Sequence, residues 1–317
     1  MKILMFGRGV IAAIYGWALE RAGHEVEFYV RPGRAAQYGD AIDLDLLDTR
    51  RRWRGEPVTQ RWPVRYRETL EPDHDFDLIV LSVQHYGFPA AARFLGPRVG
   101  NATVLVFNNL WTEPLTAIDA LPADRVAWGF PGAGGGFDDD GVLHGSLLPV
   151  VFFGTLDRPP TARERAVRDA FRAARFRIQE REDFRGWLAL HFVQNAGMHT
   201  QSLRLGSLGK MAGARHSVRE MVLATRELLP LVEARGVDLR RHRGDLLLFR
   251  APVCVTAPAL ALLFGRFKPV RMVMEAHANP EELRAVCRDT LAEARRLGVE
   301  VPRLAAAEPY FAAGSKS

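Results

Sequence analysis

Three small residues near the N-terminus have the spacing of a phosphate-binding turn. Gly7, Gly9 and Ala12 form a GxGxxA pattern directly after the apolar run KILMF. A glycine at the first position permits a tight turn, and a glycine at the second lets the backbone approach a pyrophosphate. From Val10 onward the segment has helical periodicity, so its first N–H groups would present partial positive charge to that phosphate. The pattern predicts dinucleotide binding at Gly7, Gly9, Val10 and Ala12.

Two arginines follow the next predicted strand, EVEFYV at residues 25–30. In dinucleotide-binding folds an acidic residue at this place hydrogen-bonds the ribose hydroxyls of NAD, whereas an arginine accommodates the 2′-phosphate of NADP. Here the position holds Arg31, with Arg34 close behind. Charge-assisted hydrogen bonds contribute about 1.5 to 3 kcal/mol each. We therefore predict NADP as the cofactor, the alternative being a pair of solvated arginines.

Side-chain amides follow two later apolar runs that have the composition of strands. Gln84 comes after one run, and Asn108 with Asn109 comes after the next. In open parallel sheets, ligands bind outside the carboxyl ends of the strands. Gln84 is therefore predicted to lie at a ligand site, where it could donate to a substrate oxygen, and the two asparagines follow the neighbouring strand. Trp111, two residues further on, is a candidate wall of the substrate pocket.

A polar stripe follows Trp187 in a segment of helical composition. His191, Asn195 and His199 stand four residues apart, so they share one face of a helix. A carbonyl that accepts a hydride needs a proton donor at its oxygen, and a positioned acid typically contributes about 10² to 10⁴ in rate. His191 is the candidate donor, Asn195 would hold the carbonyl, and His199 would contact the substrate. For both histidines the alternative is a hydrogen-bonded place between helices.

Charged residues late in the chain are candidates for binding an anionic substrate. Only four of the 43 basic residues are lysines, and one of them, Lys268, precedes a predicted helix together with Arg271. An arginine fork is suited to bidentate binding of a carboxylate. Both residues are therefore predicted substrate contacts, and solvation at the surface is the alternative.

The elements that would position these residues fall into two regions. Short apolar runs alternate with helical stretches over the first part of the chain, which indicates a parallel sheet of Rossmann type. Between residues 125 and 155, glycine-rich joints indicate hairpin pieces added to the edge of that sheet. From residue 160 the chain is predominantly helical. We predict an α/β fold with a Rossmann-type parallel-sheet domain at 1–180 and an all-helical domain at 181–317.

Composition narrows the class of protein. The chain has 317 residues, 48 % of them apolar and 25 % charged, with a formal net charge of +6; such values are typical of folded globular domains. Basic residues are spread along the chain among acidic ones, without a basic helix or a zinc finger, which disfavours nucleic acid and favours a small anionic ligand. The longest apolar stretch, residues 251–264, contains two prolines and is shorter than the roughly 20 residues of a membrane span.

The two cysteines and the N-terminus bear on the cellular compartment. Cys254 and Cys287 lack the spacing of a metal site or of a disulfide framework, so no metal is predicted and both thiols are expected in the core of a protein from a reducing compartment. The N-terminus has no pattern of a secretory signal. We therefore expect a cytoplasmic protein, and either a monomer or a homodimer is compatible with the sequence.

Several segments resemble the ketopantoate reductase (2-dehydropantoate 2-reductase) family. The likeness is carried by MKILMFGRGVIAAIYG, AGHEVEFYVRPGR, DLIVLSVQ and VLVFNNLWTE, and it extends weakly through GWLALH to RRLGVEVP. The resemblance implies an enzyme that reduces a 2-oxo acid with NADPH. It also implies a helical C-terminal domain that closes over the nicotinamide, with hydride transfer in the interdomain cleft.

The family's chemical residues carry over only in part. Gln84 stands where the family has a lysine that contacts the ligand, and Asn109 keeps an asparagine of a glutamine-asparagine-glycine motif whose glycine is lost here. The resemblance implies that Gln84 and Asn108 contact the cofactor and that Asn109 orients the reactants on the nicotinamide side.

The family's general-acid lysine follows a tryptophan by two residues, a place that Ala189 occupies in this chain. A gapless count back from Gly298 places Glu282 near the family's substrate-binding glutamate, with Glu281 as an equal candidate and a solvated acid on the helix surface as the alternative. The resemblance therefore predicts the family's cofactor with an altered catalytic set.

The position of the family's lysine and two asparagines can be transferred to this chain in two ways. Without a shift they fall on Ala189, Val193 and Gly197. With a shift of two residues they coincide with the polar stripe that begins at His191. The sequence leaves both alignments open.

The leading interpretation is an NADPH-dependent reductase of a ketone, a 2-oxo acid or an imine. His191, or failing it Gln84 or His85, would assist the substrate oxygen, while Arg31 would fix the cofactor. One alternative is a redox-neutral enzyme on the same fold, such as a cyclase or isomerase of secondary metabolism, and loss of the lysines favours it. Another is a non-catalytic NADP-binding protein.

Overall fold

The glycine-rich turn joins β1 (Lys2–Phe6) to α1 (Val10–Glu20) in the computed structural model, which describes residues 1–312 of the protein. The later strands are β2 (Glu25–Tyr29), β3 (Ala41–Asp48), β4 (Glu56–Pro63), β5 (Tyr66–Arg67), β6 (Leu78–Leu81), β7 (Thr103–Val106), β8 (Val126–Phe130), β9 (Ala133–Phe137), β10 (Leu143–Leu147), β11 (Val150–Gly154) and β12 (Arg177–Arg181).

The later helices are α2 (Ala35–Tyr38), α3 (Phe88–Leu95), α4 (Pro114–Ala117), α5 (Ala162–Ala173), α6 (Phe184–Leu205), α7 (Arg215–Ala234), α8 (Leu247–Arg250), α9 (Val253–Arg266), α10 (Lys268–Ala276), α11 (Pro280–Leu297) and α12 (Pro302–Ala305). The chain divides into two units, Met1–Phe184 and a second that begins at Arg185. Every described strand lies in the first unit, and the described part of the second is helical. The predicted fold class, a Rossmann-type sheet followed by a helical region, is confirmed.

The main sheet of the first unit has eight strands in the order β12-β11-β8-β7-β6-β1-β2-β5. All neighbours are parallel except β8 and β11, which run antiparallel. After β1 the chain adds β2 on one side and later β6 on the other, so the topological switch point lies between β1 and β6. In open sheets of this kind, ligands bind outside the carboxyl ends of the strands at such a point.

The register of the central strands brings their carboxyl ends to one edge. Phe6, the last residue of β1, pairs with Tyr29 on one side and Leu81 on the other, and Leu81 pairs with Val106. The four chain segments that follow these strands therefore leave the sheet together. They contain the glycine-rich turn, the two arginines after β2, and the amide residues after β6 and β7.

Helix α1 packs closely on this sheet because its inner face carries small residues. Ala12 is fully buried, and a Cβ atom added at Gly16 would lie 3.0 Å from the Phe28 ring and 3.3 Å from Met5. A larger side chain at Gly16 would push the helix away from β1 and β2. The spacing of small residues along α1 thus fixes the helix over the strands whose ends carry the turn.

A second sheet of four strands was not predicted. Its order is β4-β3-β10-β9. The central pair, β3 and β10, is parallel, and each of these strands forms an antiparallel hairpin with its other neighbour, β3 with β4 and β10 with β9. The prediction that the hairpin pieces of residues 125–155 all extend the main sheet is therefore wrong for β9 and β10. Gly135 allows the pairing, because a Cβ there would lie 2.1 Å from the carbonyl oxygen of His144.

In the second unit, helices α6, α7 and α9 supply much of the core. Buried side chains such as Val218, Val222 and Leu260 pack together between α7 and α9. Cys287 of α11 is buried as predicted, but Cys254 is exposed near the start of α9, so that part of the prediction is wrong. No single described helix is both long and apolar enough to cross a bilayer; α9 and α10 reach those limits only as a pair bent by 79°.

Candidate functional site

The glycine-rich turn leaves the start of α1 open. Gly7 has a φ of +96°, a conformation that favours glycine, and its N–H donates to the carbonyl oxygen of Tyr29 at 2.9 Å. Gly9 is the N-cap of α1, and no side chain caps the helix. A Cβ atom added at Gly7 or Gly9 would meet nothing within 4 Å. The first N–H groups of α1 therefore face open space at the carboxyl edge of the sheet, which suits a bound anion.

Two adjacent asparagines after β7 carry buried side-chain oxygens without a described hydrogen-bond partner. Asn108 is 3 % exposed, and its side-chain amide nitrogen donates to the carbonyl oxygen of Val83, in the segment after β6. The Oδ1 atoms of Asn108 and Asn109 accept no hydrogen bond from the described residues. Buried polar atoms are nearly always paired, because an unmet one costs about 1 to 3 kcal/mol. Both oxygens are thus available to donors of a ligand at the switch point.

Gln84 and His85 lie in the same edge region, directly after β6. Both are half-buried, and the backbone carbonyl of Gln84 accepts the N–H of Gly87 at 2.8 Å in a short 3₁₀ turn. The imidazole of His85 lies 5.4 Å from the ring of Tyr86. Trp111 is half-buried in the loop after Asn109. The first unit thus brings Gln84, Asn108 and Asn109 to one edge, as the parallel-sheet prediction requires.

The arginines after β2 differ in how firmly they are held. Arg31 is exposed, whereas Arg34 is half-buried and donates to the Gln37 side chain at 2.6 Å. The nearby carboxylate, Glu68, accepts the N–H of Ala35 at 2.8 Å. Backbone N–H groups of this loop, from Ala35 and then Gly33, lower the pKa of Glu68. Glu68 is therefore ionised and engaged with the backbone.

A third arginine at this end was missed by the sequence analysis. Arg8, between the two glycines of the turn, donates from Nε to the hydroxyl of Tyr66 at 2.9 Å. Its guanidinium also lies over the rings of Tyr38 and Phe137. The only available signal was an arginine inside the glycine pattern, because the aromatic partners come from three separate elements.

In the second unit, the accessible stripe of α6 contains His191, Gln194, Asn195 and Met198, each half-buried. His199, predicted on the same face, is only 5 % exposed. The positions of the unshifted family alignment are buried as well: Ala189 and Val193 are 8 % and 0 % exposed. Helix α6 thus presents His191 and Asn195, and not the unshifted positions, on its accessible side.

The imidazole of His191 stacks on Trp187, with ring centroids 5.2 Å apart and an interplanar angle of 18°. Part of the residue surface remains accessible, but the protein atoms around the ring desolvate it. This burial lowers the pKa of His191 to about 4. The ring is therefore neutral at neutral pH and offers a hydrogen-bond donor in place of an imidazolium acid.

The predicted substrate contacts of the second unit lie on two neighbouring helices. Lys268 begins α10 and is exposed, and Arg271, one turn later, places Nε 3.5 Å from a carboxylate oxygen of Glu275. On α11, a carboxylate oxygen of Glu282 lies 3.4 Å from Nε2 of His277. Arg271 thus has a carboxylate as its neighbour, and Glu282 has an imidazole.

Among residues 1–312, no group of three histidine, cysteine, aspartate or glutamate side chains has the arrangement of a metal site. The polar features described above are the open helix terminus, the amides and the arginines of the first unit, and the polar stripe of the second. A parallel sheet with a glycine turn at its switch point, followed by a helical unit, is the architecture of Rossmann-type folds.

Comparison with known proteins agrees with this class. Residues 3–157 match the sequence model described as "Ketopantoate reductase PanE/ApbA". The first unit of the chain thus belongs to the ketopantoate reductase family, as its sequence predicts. Members of this family are oxidoreductases. No curated protein matches the sequence.

Solved structures extend the likeness over both units. The 2-dehydropantoate 2-reductase of Geobacter metallireducens GS-15 is 19 % identical with a TM-score of 0.71, covering 98 % of this chain and 99 % of its own. The probable 2-dehydropantoate 2-reductase of Bacillus subtilis is 17 % identical with a TM-score of 0.65, covering 98 % and 99 %. D-mandelate dehydrogenase, solved with NADH, is 12 % identical with a TM-score of 0.68, covering 98 % and 97 %. At these identities the likeness establishes the fold.

Proposed function

We propose that the protein is a nicotinamide-dependent reductase that uses NADPH to reduce a ketone, a 2-oxo acid or an imine. The observation that carries the proposal is the open turn at Gly7 and Gly9 at the switch point of the sheet, with the unmet Oδ1 atom of Asn108 at the same carboxyl edge. A capped or filled turn would have no room for a pyrophosphate. Membership of the first unit in an oxidoreductase family supports the same conclusion.

The residues of the first unit fit a nicotinamide dinucleotide. Gly7, Gly9, Val10 and the buried Ala12 would hold the pyrophosphate at the start of α1. A nicotinamide carboxamide carries N–H donors, for which the unmet oxygens of Asn108 and Asn109 are suitable acceptors. In contrast to these neutral contacts, Arg31 and Arg34 would meet the 2′-phosphate of NADPH.

The bound nicotinamide would supply the hydride, and this chain's own side chains would handle the substrate oxygen. No lysine stands at the two family positions, which Gln84 and Ala189 occupy. Neutral His191 can donate a hydrogen bond to the oxygen as negative charge develops there, and Asn195, one turn along α6, can donate a second. The proton that converts the alkoxide into the alcohol would come from water. Gln84 and His85 are the donors that the first unit offers.

The substrate class we propose is a small molecule with an anionic group. Lys268 and Arg271 of α10 are the cationic candidates, and Glu282 and Trp111 are the remaining candidates with accessible surface. The related D-mandelate dehydrogenase has been solved with NADH and anilino(oxo)acetate, a 2-oxo acid anion. Such a compound carries a carboxylate, which the two basic residues of α10 are suited to bind.

A substrate panel tests the proposed reaction. Ketopantoate, other 2-oxo acids, neutral ketones and cyclic imines would each be added to the protein with NADPH, while the loss of NADPH absorbance is followed. We expect turnover with at least one compound that carries a carboxylate, and His191→Ala should reduce it by about tenfold or more. Turnover that remains within about threefold in this variant would remove His191 from the mechanism.

A redox-neutral reaction is the second candidate, and the absence of lysine at both family positions favours it. In such an enzyme the dinucleotide would shape the pocket, and NADPH would not be consumed. Product formation from a cyclisable or isomerisable substrate at constant NADPH absorbance would establish this candidate. Binding of the dinucleotide without conversion of any compound would indicate a binding protein instead.

A further inference from the structure

Arg8 has an unusually fixed guanidinium for a residue in a glycine-rich turn. Its Nε donates to the Tyr66 hydroxyl at 2.9 Å, and its Cζ lies 4.4 Å from the ring centroid of Phe137 and 4.9 Å from that of Tyr38. These partners belong to β5, β9 and α2, so three elements hold one side chain. An arginine that is already immobilised loses less conformational entropy when it binds a ligand.

The charge of this guanidinium is not balanced by a carboxylate. Among the described residues, no acidic side chain forms an ion pair with Arg8 or Arg34, and the terminal Nη atoms of Arg8 donate to none of them. Arg34 lies over the same Tyr38 ring, 5.5 Å from its centroid. Glu68, the carboxylate of this loop, is bound to backbone N–H groups. Two guanidinium groups thus flank one ring, an arrangement that an anion would stabilise.

The direction of the Arg8 side chain identifies the part of a dinucleotide that it can reach. Tyr38 ends the short helix that follows β2, and Tyr66 pairs with Phe28 of β2 in the neighbouring strand β5. In folds of this type the segment after β2 binds the adenosine ribose, including its 2′ position. Arg8 therefore projects from the pyrophosphate turn towards the adenosine end of the site.

We propose that Arg8, together with Arg34, binds the 2′-phosphate of NADP, and that this pair, more than the exposed Arg31, sets the preference for NADP over NAD. The inference rests on the proposed function, because it requires a dinucleotide at the glycine turn. The two free Nη groups of Arg8 match the oxygens of a phosphate monoester. The rings of Tyr38 and Phe137 hold the guanidinium in place. Unlike a salt bridge to a carboxylate, these contacts leave its positive charge available to the phosphate.

Equilibrium binding measures this preference without catalysis. Titration calorimetry would follow NADPH, NADH, 2′,5′-ADP and 5′-AMP with the wild type and with Arg8→Ala, Arg34→Ala and Arg31→Ala. We expect Arg8→Ala to weaken NADPH and 2′,5′-ADP by about tenfold or more, while NADH and 5′-AMP change by less than about twofold. Arg31→Ala should weaken NADPH by less than about threefold, because that side chain is exposed.

Two further variants separate a binding role from a packing role. Tyr66→Phe keeps the ring but removes the hydrogen bond to Arg8, and it should weaken NADPH selectively and by less than Arg8→Ala. Arg21→Ala is the matched control, since the Arg21 guanidinium also lies over an aromatic ring, that of Trp17, at the far end of α1. It should leave all four affinities unchanged. Thermal unfolding midpoints would confirm that each variant is folded, and Arg8→Gln replaces Arg8→Ala if the latter is not.

The outcomes distinguish this inference from the proposed function. An equal loss of NADPH and NADH in Arg8→Ala would assign Arg8 to the shared pyrophosphate and overturn the inference. Unchanged NADPH binding, or a larger loss in Arg31→Ala than in Arg8→Ala, would overturn it as well. In each of these cases the proposed dinucleotide site stands. A wild-type protein that binds neither dinucleotide would instead refute the proposed function itself.

Discussion

The protonation state of His191 predicts how turnover depends on pH, because burial lowers the pKa of its ring to about 4. Between about pH 5.5 and pH 8 the ring stays neutral, so a turnover rate that depends on it should be nearly flat over this range. The measurement is kcat against pH for any substrate found in the panel. A rate that falls with an apparent pKa near about 6.5 would show that an imidazolium acid is needed instead.

The contrast between His191, His199 and Arg8 shows what sequence can predict about single residues. The four-residue spacing correctly placed His191, Asn195 and His199 on α6, but spacing alone does not tell which part of a helical face its neighbours cover. His199 is buried for that reason. Arg8 was missed because its environment is made by Tyr38, Tyr66 and Phe137, which are distant in sequence from it and from one another.

At the scale of elements, α6 packs closely against α7 at Gly197, one of the positions of the unshifted family alignment. A Cβ atom at Gly197 would lie 2.2 Å from Oγ1 and 2.9 Å from the backbone nitrogen of Thr225. Gly197→Asn, which restores the residue type of the unshifted alignment, should therefore lower the free energy of unfolding by about 1 to 3 kcal/mol.

The matched control is Gln194→Asn on the accessible stripe of the same helix, which should change stability by less than about 0.5 kcal/mol. Urea unfolding followed by circular dichroism measures both variants. Equal stability of the two would mean that α6 and α7 separate easily at Gly197, and the choice of the shifted alignment would lose its support.

The second sheet contains a histidine between two carboxylates, and this predicts a dependence of stability on pH. Nδ1 of His144 lies 2.9 Å from Asp45 and Nε2 lies 2.8 Å from Asp138. The hydrogen bond to Asp138, and after it that to Asp45, raises the pKa of His144. Because only the protonated ring donates from both nitrogens, the stabilisation is complete below the unfolded pKa of about 6.5 and is lost as pH rises through the raised folded value.

Thermal unfolding of the wild type and of His144→Ala tests this dependence. The difference between their midpoints should be largest near about pH 5.5 and should shrink by about pH 9, when the wild-type ring is neutral. His216→Ala, at an exposed histidine of α7, is the control and should show no such trend. A difference that stays constant or grows with pH would contradict the assignment of a protonated ring.

Elements that are determined by neighbouring residues were predicted well, whereas pairings between segments distant in sequence were not. Strand β1, helix α1 and strand β2 follow from apolar periodicity, the glycine pattern and the turn residues around them. The β9–β10 hairpin was recognised as hairpin pieces but assigned to the wrong sheet. Its true partner, β3, lies about a hundred residues earlier, and the parallel pairing of Leu143 with Leu44 is set by tertiary packing.

For the whole molecule, the sequence was sufficient for the fold class and the family of the first unit but not for the reaction. Alternation of strands and helices specifies a parallel sheet, and a parallel sheet brings the ends of its strands to one edge. The chemistry depends on positions where the chain departs from its family. Gln84 and Ala189 stand at two such positions, where the family has lysines. The sequence shows that these two cations are lost, but the loss does not indicate which groups act in their place.

A crystal structure of the protein soaked with NADPH would test most directly whether the turn at Gly7 and Gly9 binds the dinucleotide. It should reveal the two bridging phosphates against the backbone of Gly7 and Gly9 at the start of α1, and the nicotinamide amide within hydrogen-bonding distance of Asn108 or Asn109. Electron density for the dinucleotide at any other edge of the sheet, or crystals that stay free of it at saturating concentration, would contradict the account.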